Sequence, residues 1–367
     1  MCALTHSSMT MKLIDTHDKT FVNAFQQFTN DGQFIGLTRQ FEQGFKQTGK
    51  ANNLNFRVLK ATVSLLDSGV ILIEPDHNNL ISKRVVISSG IHGNETAPIE
   101  IVQLLITDIV KRKIQVKHPT LLIIGNPVAM NLGKRFENEN LNRLFCGKHR
   151  QISSCFEKDR AAKLETYLNT FFANTENNVT NYHYDLHTAI RNSKFEKFAI
   201  YPFQQTKPWN KEQLSFMASC GINTILFGHG ATGTFSYFSS VNFSAHSFTI
   251  ELGKVQVFGE NNMDSFVDIC NNLRALICAQ PIKLKPFKNE DFNLFKALGD
   301  ITKYSEKFKL LISEQASNFT TYPPNTLLST DIDYEYRTNQ VDETIVFPNA
   351  NVGIGQRAVL MVVPTKL

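Results

Sequence analysis

The hydrophobic pattern divides the chain into four stretches. Between residues 20 and 50, phenylalanines recur among polar residues at Phe21, Phe25, Phe28, Phe34, Phe41 and Phe45. That spacing predicts short helices and a connecting loop. Residues 55–59 and 69–74 are then dominated by Phe, Val, Ile and Leu, and Pro75, Asp76, His77 and Asn78 supply turn chemistry. A hairpin entering a sheet is expected there. From residue 84 the rhythm becomes strand, loop, helix, strand. Residues 84–89 form a buried-strand run that Gly90 breaks, and Pro98 precedes apolar residues at helical spacing up to Val110, before the basic cluster Lys111, Arg112 and Lys113. Further strands are read at 121–124, 182–187, 198–201, 224–227 and 247–252, with helices at 159–172 and 262–277. Short apolar strands alternating with helices predict an α/β fold with a largely parallel sheet covered by helices. Beyond residue 282 the alternation stops. Pro281, Pro286, Pro323 and Pro324, with short runs at 344–347 and 358–363, suggest a small β-rich C-terminal domain. The expected organisation is a helical or irregular extension over 1–50, an α/β domain over 51–280 and the β-rich domain over 281–367.

Composition narrows the class. With 38 basic against 33 acidic residues the net charge is only +5, too mild for a nucleic-acid-binding field, so no nucleic-acid partner is expected. The 42% hydrophobic content and 29 Phe indicate a folded, globular chain. The six cysteines, Cys2, Cys146, Cys155, Cys220, Cys270 and Cys278, show no C-x-x-C pair, which fits a reduced, cytoplasmic location. No stretch approaches about 18 apolar residues, and the first twenty residues carry Asp15 and Asp18 where a signal peptide would be apolar. Neither membrane insertion nor secretion is expected.

The sharpest chemical signal is Gly90-Ile-His92-Gly-Asn-Glu95, in the loop between a predicted strand and helix. Residues three apart on a tightening turn point the same way, so His92 and Glu95 can offer a nitrogen and a carboxylate to one ion. Asp185-Leu-His187 ends another strand, where open α/β sheets place their sites. His187 would be a third ligand, with Asp185 on its strand face to orient the imidazole. The alternative is a hydrogen-bonded core histidine. Glu251, set among Phe248, Ile250 and Leu252, is costly to bury without work or a partner. It reads either as a general base beside a metal-activated water or as a carboxylate paired to Lys254 or an arginine. Between these motifs, Arg135, Asn142 and Arg143 occupy a donor-rich loop that suits a small dicarboxylate or N-acyl amino acid, or else is a solvated surface loop. His183 shares the strand face of Asp185 and His187, so it reads as a core or rim histidine or else as a support behind His187; His229 and His246 are set aside, and Cys146 is taken as a structural thiol.

Taken in order, these residues resemble the succinylglutamate desuccinylase/aspartoacylase family of the zinc carboxypeptidase-like superfamily. The resemblance spans about residues 50 to 365 and rests on segments 90–98, 126–127, 142–145, 185–191 and 347–351. It implies a zinc carboxypeptidase-like mixed sheet and one zinc ion per subunit held by His92, Glu95 and His187. It makes Glu251 the general base, Arg135 the group that polarises the scissile carbonyl, and Asn142 and Arg143 the holders of the amino-acid carboxylate. Arg191, in the loop after His187, joins the substrate-binding set. The implied reaction is hydrolysis of N-succinyl-L-glutamate to succinate and L-glutamate, the last step of arginine catabolism by the succinyltransferase pathway. One departure is Asn140, where the family usually has Asp; the lost charge is expected to alter how the loop is pinned without touching the metal. The rival readings are an aspartoacylase-like deacylase of another N-acyl amino acid, a carboxypeptidase, and a non-catalytic relative that binds metal or amino acids. Acyl-chain specificity, metal identity and oligomeric state are left open by the motifs, a homodimer among the possibilities.

Overall fold

The structure, a computed structural model, describes residues 19–44, 54–76, 82–173, 178–204 and 207–367. His77 and Asn78 of the expected turn lie outside the described residues, as do Phe45 and Cys2. The phenylalanine-rich stretch forms two helices, α1 (Lys19–Asp31) and α2 (Phe34–Gly44). Phe21, Phe25 and Phe28 lie on the buried face of α1, and Phe28 meets Phe56 edge-on with centroids 5.4 Å apart. Gln103 clamps the bend between the helices, accepting from the Ile35 N–H at 2.8 Å and donating to the Gly32 carbonyl.

Residues 54–75 form three strands where the pattern predicted a two-stranded hairpin: β1 (Leu54–Val58), β2 (Ala61–Asp67) and β3 (Val70–Pro75), each antiparallel to the next. The middle strand escapes a search for apolar runs because Thr62 and Ser64 interrupt it, yet it buries every second residue. The α/β core follows with β4 (Lys83–Ser89), α3 (Thr96–Val110), β5 (Thr120–Ile124), α4 (Pro127–Leu132) and α5 (Phe156–Ala173). Next come β6 (Thr180–Ala189), β7 (Phe198–Tyr201), α6 (Lys211–Ser219), β8 (Thr224–Phe227), α7 (Phe235–Phe243), β9 (His246–Lys254) and α8 (Val267–Ile277). The pattern did not predict α7, whose Phe, Ser, Val and Asn residues are weak helix formers; its start is fixed by Thr234, whose hydroxyl caps the Tyr237 N–H.

The C-terminal residues add β10 (Asn293–Thr302), β11 (Lys309–Leu310), β12 (Thr320–Thr321), β13 (Leu327–Thr330), β14 (Glu335–Arg337), β15 (Thr344–Val346) and β16 (Arg357–Pro364). One sheet runs through the molecule in the order β1-β2-β3-β5-β4-β6-β9-β7-β8-β10-β16-β15-β12. Its centre is parallel: β5, β4, β6 and β9 run one way, and β7, β8 and β10 run together in the opposite sense. The fold is thus mixed α/β with a β-rich C-terminal part joined to the main sheet through the β8/β10 pair. Among the described residues, no helix is long and apolar enough to cross a membrane.

Candidate metal centre and active site

Three adjacent parallel strands, β4, β6 and β9, end on the same edge of the sheet and deliver the chemistry there. The chain leaving β4 turns at Gly90 and reaches Gly93, where a Cβ would lie 2.1 Å from the Met130 N. Only glycine lets this turn and the α4 backbone approach so closely. The turn sets His92 beside Glu95, the residue that caps the start of α3. Glu95 makes no side-chain cap. Its carboxylate instead faces the strand ends, 2.8 Å from His92 Nδ1, 2.9 Å from His187 Nδ1 and 2.6 Å from an Arg135 guanidinium nitrogen. All three of His92, Glu95 and His187 are buried, and one ligand atom from each lies within 4.8 Å of the others. Two imidazole nitrogens and a carboxylate oxygen gathered this tightly are a donor set suited to a divalent cation with an open position.

The electrostatics agree. Burial pushes the His92 pKa down to about 4, helped by Arg135, so this imidazole is neutral and has a lone pair to give. Burial opposes charge at His187 as well, but Asp185 and Glu95 outweigh it and hold the group well above its usual range. Burial likewise opposes the Glu95 carboxylate, yet His92 and His187 keep it well below the ordinary carboxylate range. The pocket therefore favours a positive charge between these side chains.

Behind His187 lies a chain of buried polar groups. His187 Nε2 is 2.9 Å from Asp185 Oδ2, and the Ser88 hydroxyl donates to Asp185 Oδ1 at 2.5 Å. Ser88 Oγ is also 2.8 Å from His183 Nε2. A serine has one proton, and Asp185 takes it, so His183 Nε2 must carry the hydrogen in that contact. His183 Nδ1 then accepts from the Ser239 hydroxyl at 2.5 Å. The direction of every hydrogen bond in the chain is thus determined, and His187 presents Nδ1 to the cluster. Sequence reasoning left His183 between a core and a supporting role and did not single out Ser88 or Ser239; strand parity with Asp185 was the one signal that pointed to His183.

Asn140 departs from expectation. Its Oδ1 lies 3.0 Å from His92 Nε2 and also accepts the Asn142 N–H at 3.1 Å. The residue that lacks the family's charge thus orients a member of the metal cluster directly, contrary to the expectation that it leaves the metal untouched. A neutral amide oxygen serves both donors, as a carboxylate oxygen would, but with a weaker field.

Glu251 stands opposite His187 in the β6/β9 register and is 7% exposed. Its Oε2 is buried with no hydrogen-bond partner among the described residues, so pairing to Lys254 or an arginine is not what the structure contains. Burial pushes its pKa up to about 7, with Glu95 and Asp185 adding to the rise and His187 and Arg135 opposing it.

The donor loop is held from several sides. Asn126 caps α4 through the Ala129 N–H, with Pro127 in the first turn, and donates to Glu157, which in turn accepts the Glu137 N–H at 2.8 Å. The backbone carbonyl of Arg135 accepts from Gly93. Asn142 spends its carbonyl oxygen on the Phe235 N–H at 3.0 Å, which leaves its NH2 group for a ligand. Arg143 is open to solvent yet ringed by protein. Desolvation there and the charges of Arg357 and Arg135 lower its pKa to about 9. Arg191 lies further out, its guanidinium donating to the Glu314 carbonyl of the C-terminal part.

Residues 81–277 match the succinylglutamate desuccinylase/aspartoacylase catalytic domain, and residues 290–365 match the barrel-sandwich hybrid domain of the same family. Succinylglutamate desuccinylase of Pseudoalteromonas atlantica is 43% identical over 361 residues, which cover 97% of this chain and 100% of that protein. The protein of the same name from Shewanella amazonensis is 45% identical over 307 residues, 82% of this chain and 88% of the relative. The crystal structure of succinylglutamate desuccinylase from Chromobacterium violaceum superposes with a TM-score of 0.78 at 34% identity, covering 91% of this chain and 98% of that one. The chain therefore belongs to the succinylglutamate desuccinylase/aspartoacylase family of amide hydrolases.

Proposed function

We propose that the chain hydrolyses N-succinyl-L-glutamate to succinate and L-glutamate in the cytoplasm, as the last step of arginine catabolism by the succinyltransferase pathway, with one zinc ion per subunit held by His92, Glu95 and His187. The relatives that carry the name succinylglutamate desuccinylase support the substrate. The observation that carries the chemistry is Glu251: a buried carboxylate with an unpartnered oxygen and a pKa near 7, beside the His-Glu-His cluster. A bound zinc ion supplies a lowered water pKa and polarisation of the amide carbonyl.

The chain's own residues account for the rest. Glu251 removes a proton from the attacking water, whose oxygen forms the new bond to the amide carbon. The same proton then passes to the glutamate nitrogen as the C–N bond breaks. A group that titrates near the working pH can both accept and return a proton, which is the demand made here. Arg135, anchored through one guanidinium nitrogen on Glu95, has further N–H groups to stabilise the oxyanion. The Asn142 amide and the Arg143 guanidinium hold the carboxylate of the glutamate moiety. Asp185 receives the Nε2 hydrogen of His187 and keeps Nδ1 facing the cluster.

Replacing Glu251 with Gln tests this assignment. The expected result is a fall in kcat of about 10²- to 10⁴-fold with zinc content unchanged. A variant that keeps zinc and turns over N-succinyl-L-glutamate at the wild-type rate would overturn the assignment.

A further inference from the structure

The strand pairing beyond the metal cluster contains an irregularity. Opposite His187 stands Glu251, but the next recorded pair is Ala189 with Lys254, so two steps along β6 match three along β9. In a regular ladder a residue three positions after Glu251 falls on the opposite face of the sheet. The extra residue re-aims Lys254 onto the face shared by His187 and Ala189. Gly253 makes this turn with φ +121°, a backbone conformation closed to other residues, and the Val255 N–H resumes pairing with the Ala189 carbonyl at 3.1 Å. Lys254 lines a cleft of about 460 Å³ that opens just past this pair, together with Arg191, Asn192, Glu314 and Asn351. The cleft's far wall is fixed: the 192–194 segment and Asn318 exchange backbone hydrogen bonds, and Arg191 is held by the Glu314 carbonyl. Two cations against the single carboxylate of Glu314 leave the lining positive, and Lys254 has no salt-bridge partner among the described residues.

We propose that Lys254, turned to the catalytic face by the β9 bulge and joined by Arg191 across this cleft, binds the terminal carboxylate of the substrate's acyl group and selects ω-carboxylated acyl chains over neutral ones. Two residue steps along a strand cover about 7 Å, comparable to a four-carbon acyl chain plus a hydrogen bond. Arg143 lies on the donor loop, so the acyl and amino-acid ends of the substrate have separate cationic anchors. This inference rests on the reading of the chain as an N-acyl-glutamate hydrolase.

The test uses zinc-loaded enzyme and two substrates, N-succinyl-L-glutamate and N-butyryl-L-glutamate, which differ by a carboxylate against a methyl group. Lys254→Met is expected to lower kcat/KM for the succinyl substrate about 10- to 100-fold, to leave the butyryl substrate within about 3-fold, and to be rescued in large part by Lys254→Arg. A loss of equal size on both substrates, or undiminished discrimination, overturns the proposal. Calorimetric binding of succinate against butyrate provides the second readout: the wild type prefers succinate and Lys254→Met loses that preference. If the wild type turns over butyryl or acetyl substrates better than succinyl ones, the assigned function fails. The succinate and butyrate affinities then still decide the role of Lys254, and an unchanged ratio in the variant refutes it.

Discussion

Ser88 is the most exacting place to perturb the structure, because one hydroxyl closes a hydrogen-bond chain in a dry interior. It is 0% exposed, donates to Asp185 Oδ1 at 2.5 Å and receives from His183 Nε2 at 2.8 Å. Ser88→Ala leaves a buried N–H and one side of a buried carboxylate without partners. Each orphaned group costs about 1–3 kcal/mol, so with two of them the variant should lose about 2–6 kcal/mol of unfolding free energy. Ser89 supplies the control: it is equally buried but makes one hydrogen bond, to the Ile123 carbonyl at 3.1 Å. Ser89→Ala should lose only about 1 kcal/mol. Urea unfolding of both variants, metal-free and at one pH, reads the difference. Chelator competition adds a second observable, since a less constrained Asp185 should loosen zinc binding in the Ser88 variant and not in the Ser89 variant. Equal stability losses in the two variants would refute the hydrogen-bond chain.

Three further outcomes follow from the same contacts. Asp185→Asn removes the anionic acceptor behind His187 and should weaken zinc affinity about 10- to 100-fold, read by competition with a fluorescent chelator; unchanged affinity would exclude the orienting role. Asn140→Asp places a carboxylate at the His92 Nε2 contact of 3.0 Å and should tighten zinc binding, by about 3- to 10-fold, with weaker binding as the contrary result. His183 is held by burial at a pKa of about 4, below the 6.5 of an exposed histidine, so it is neutral in the fold while the unfolded chain binds the proton between those values. Its contribution to stability is therefore complete above pH 6.5 and lost as pH falls to 4, on the order of 3 kcal/mol in all. The metal-free His183→Gln variant should show a flatter decline across that window in urea titrations than the wild type, and parallel declines would contradict the assignment.

How much of this was legible in the sequence depends on the range of the interaction. His92 and Glu95 stand out because both lie on one turn, His187 because it closes a strand with Asp185 two residues before it on the same face, and Glu251 because it sits among Phe248, Ile250 and Leu252. Ser88 gave no such signal. A hydroxyl inside a buried strand reads as a tolerated small residue until the neighbouring strand sets His183 and Asp185 against it. Asn140 was misjudged for a similar reason: its bond to His92 joins positions 48 apart, which loop composition does not reveal. The strand β2 was passed over because alternation with Thr and Ser dilutes the apolar run. The bulge that turns Lys254 depends on pairing register, a property of two strands that neither sequence carries alone. The Glu251–Lys254 pair, an open alternative in the sequence, is absent among the described residues, where Lys254 lines the cleft.

The central claim is hydrolysis of N-succinyl-L-glutamate at a zinc site built from His92, Glu95 and His187. The most direct test is to measure kcat/KM for N-succinyl-L-glutamate, N-succinyl-L-ornithine and N-acetyl-L-aspartate on protein whose zinc content has been quantified, before and after chelation. The account predicts that N-succinyl-L-glutamate is the preferred substrate, that chelation abolishes its hydrolysis and that added zinc restores it. A preference for N-acetyl-L-aspartate, or hydrolysis of N-succinyl-L-glutamate that survives complete removal of zinc, would contradict it.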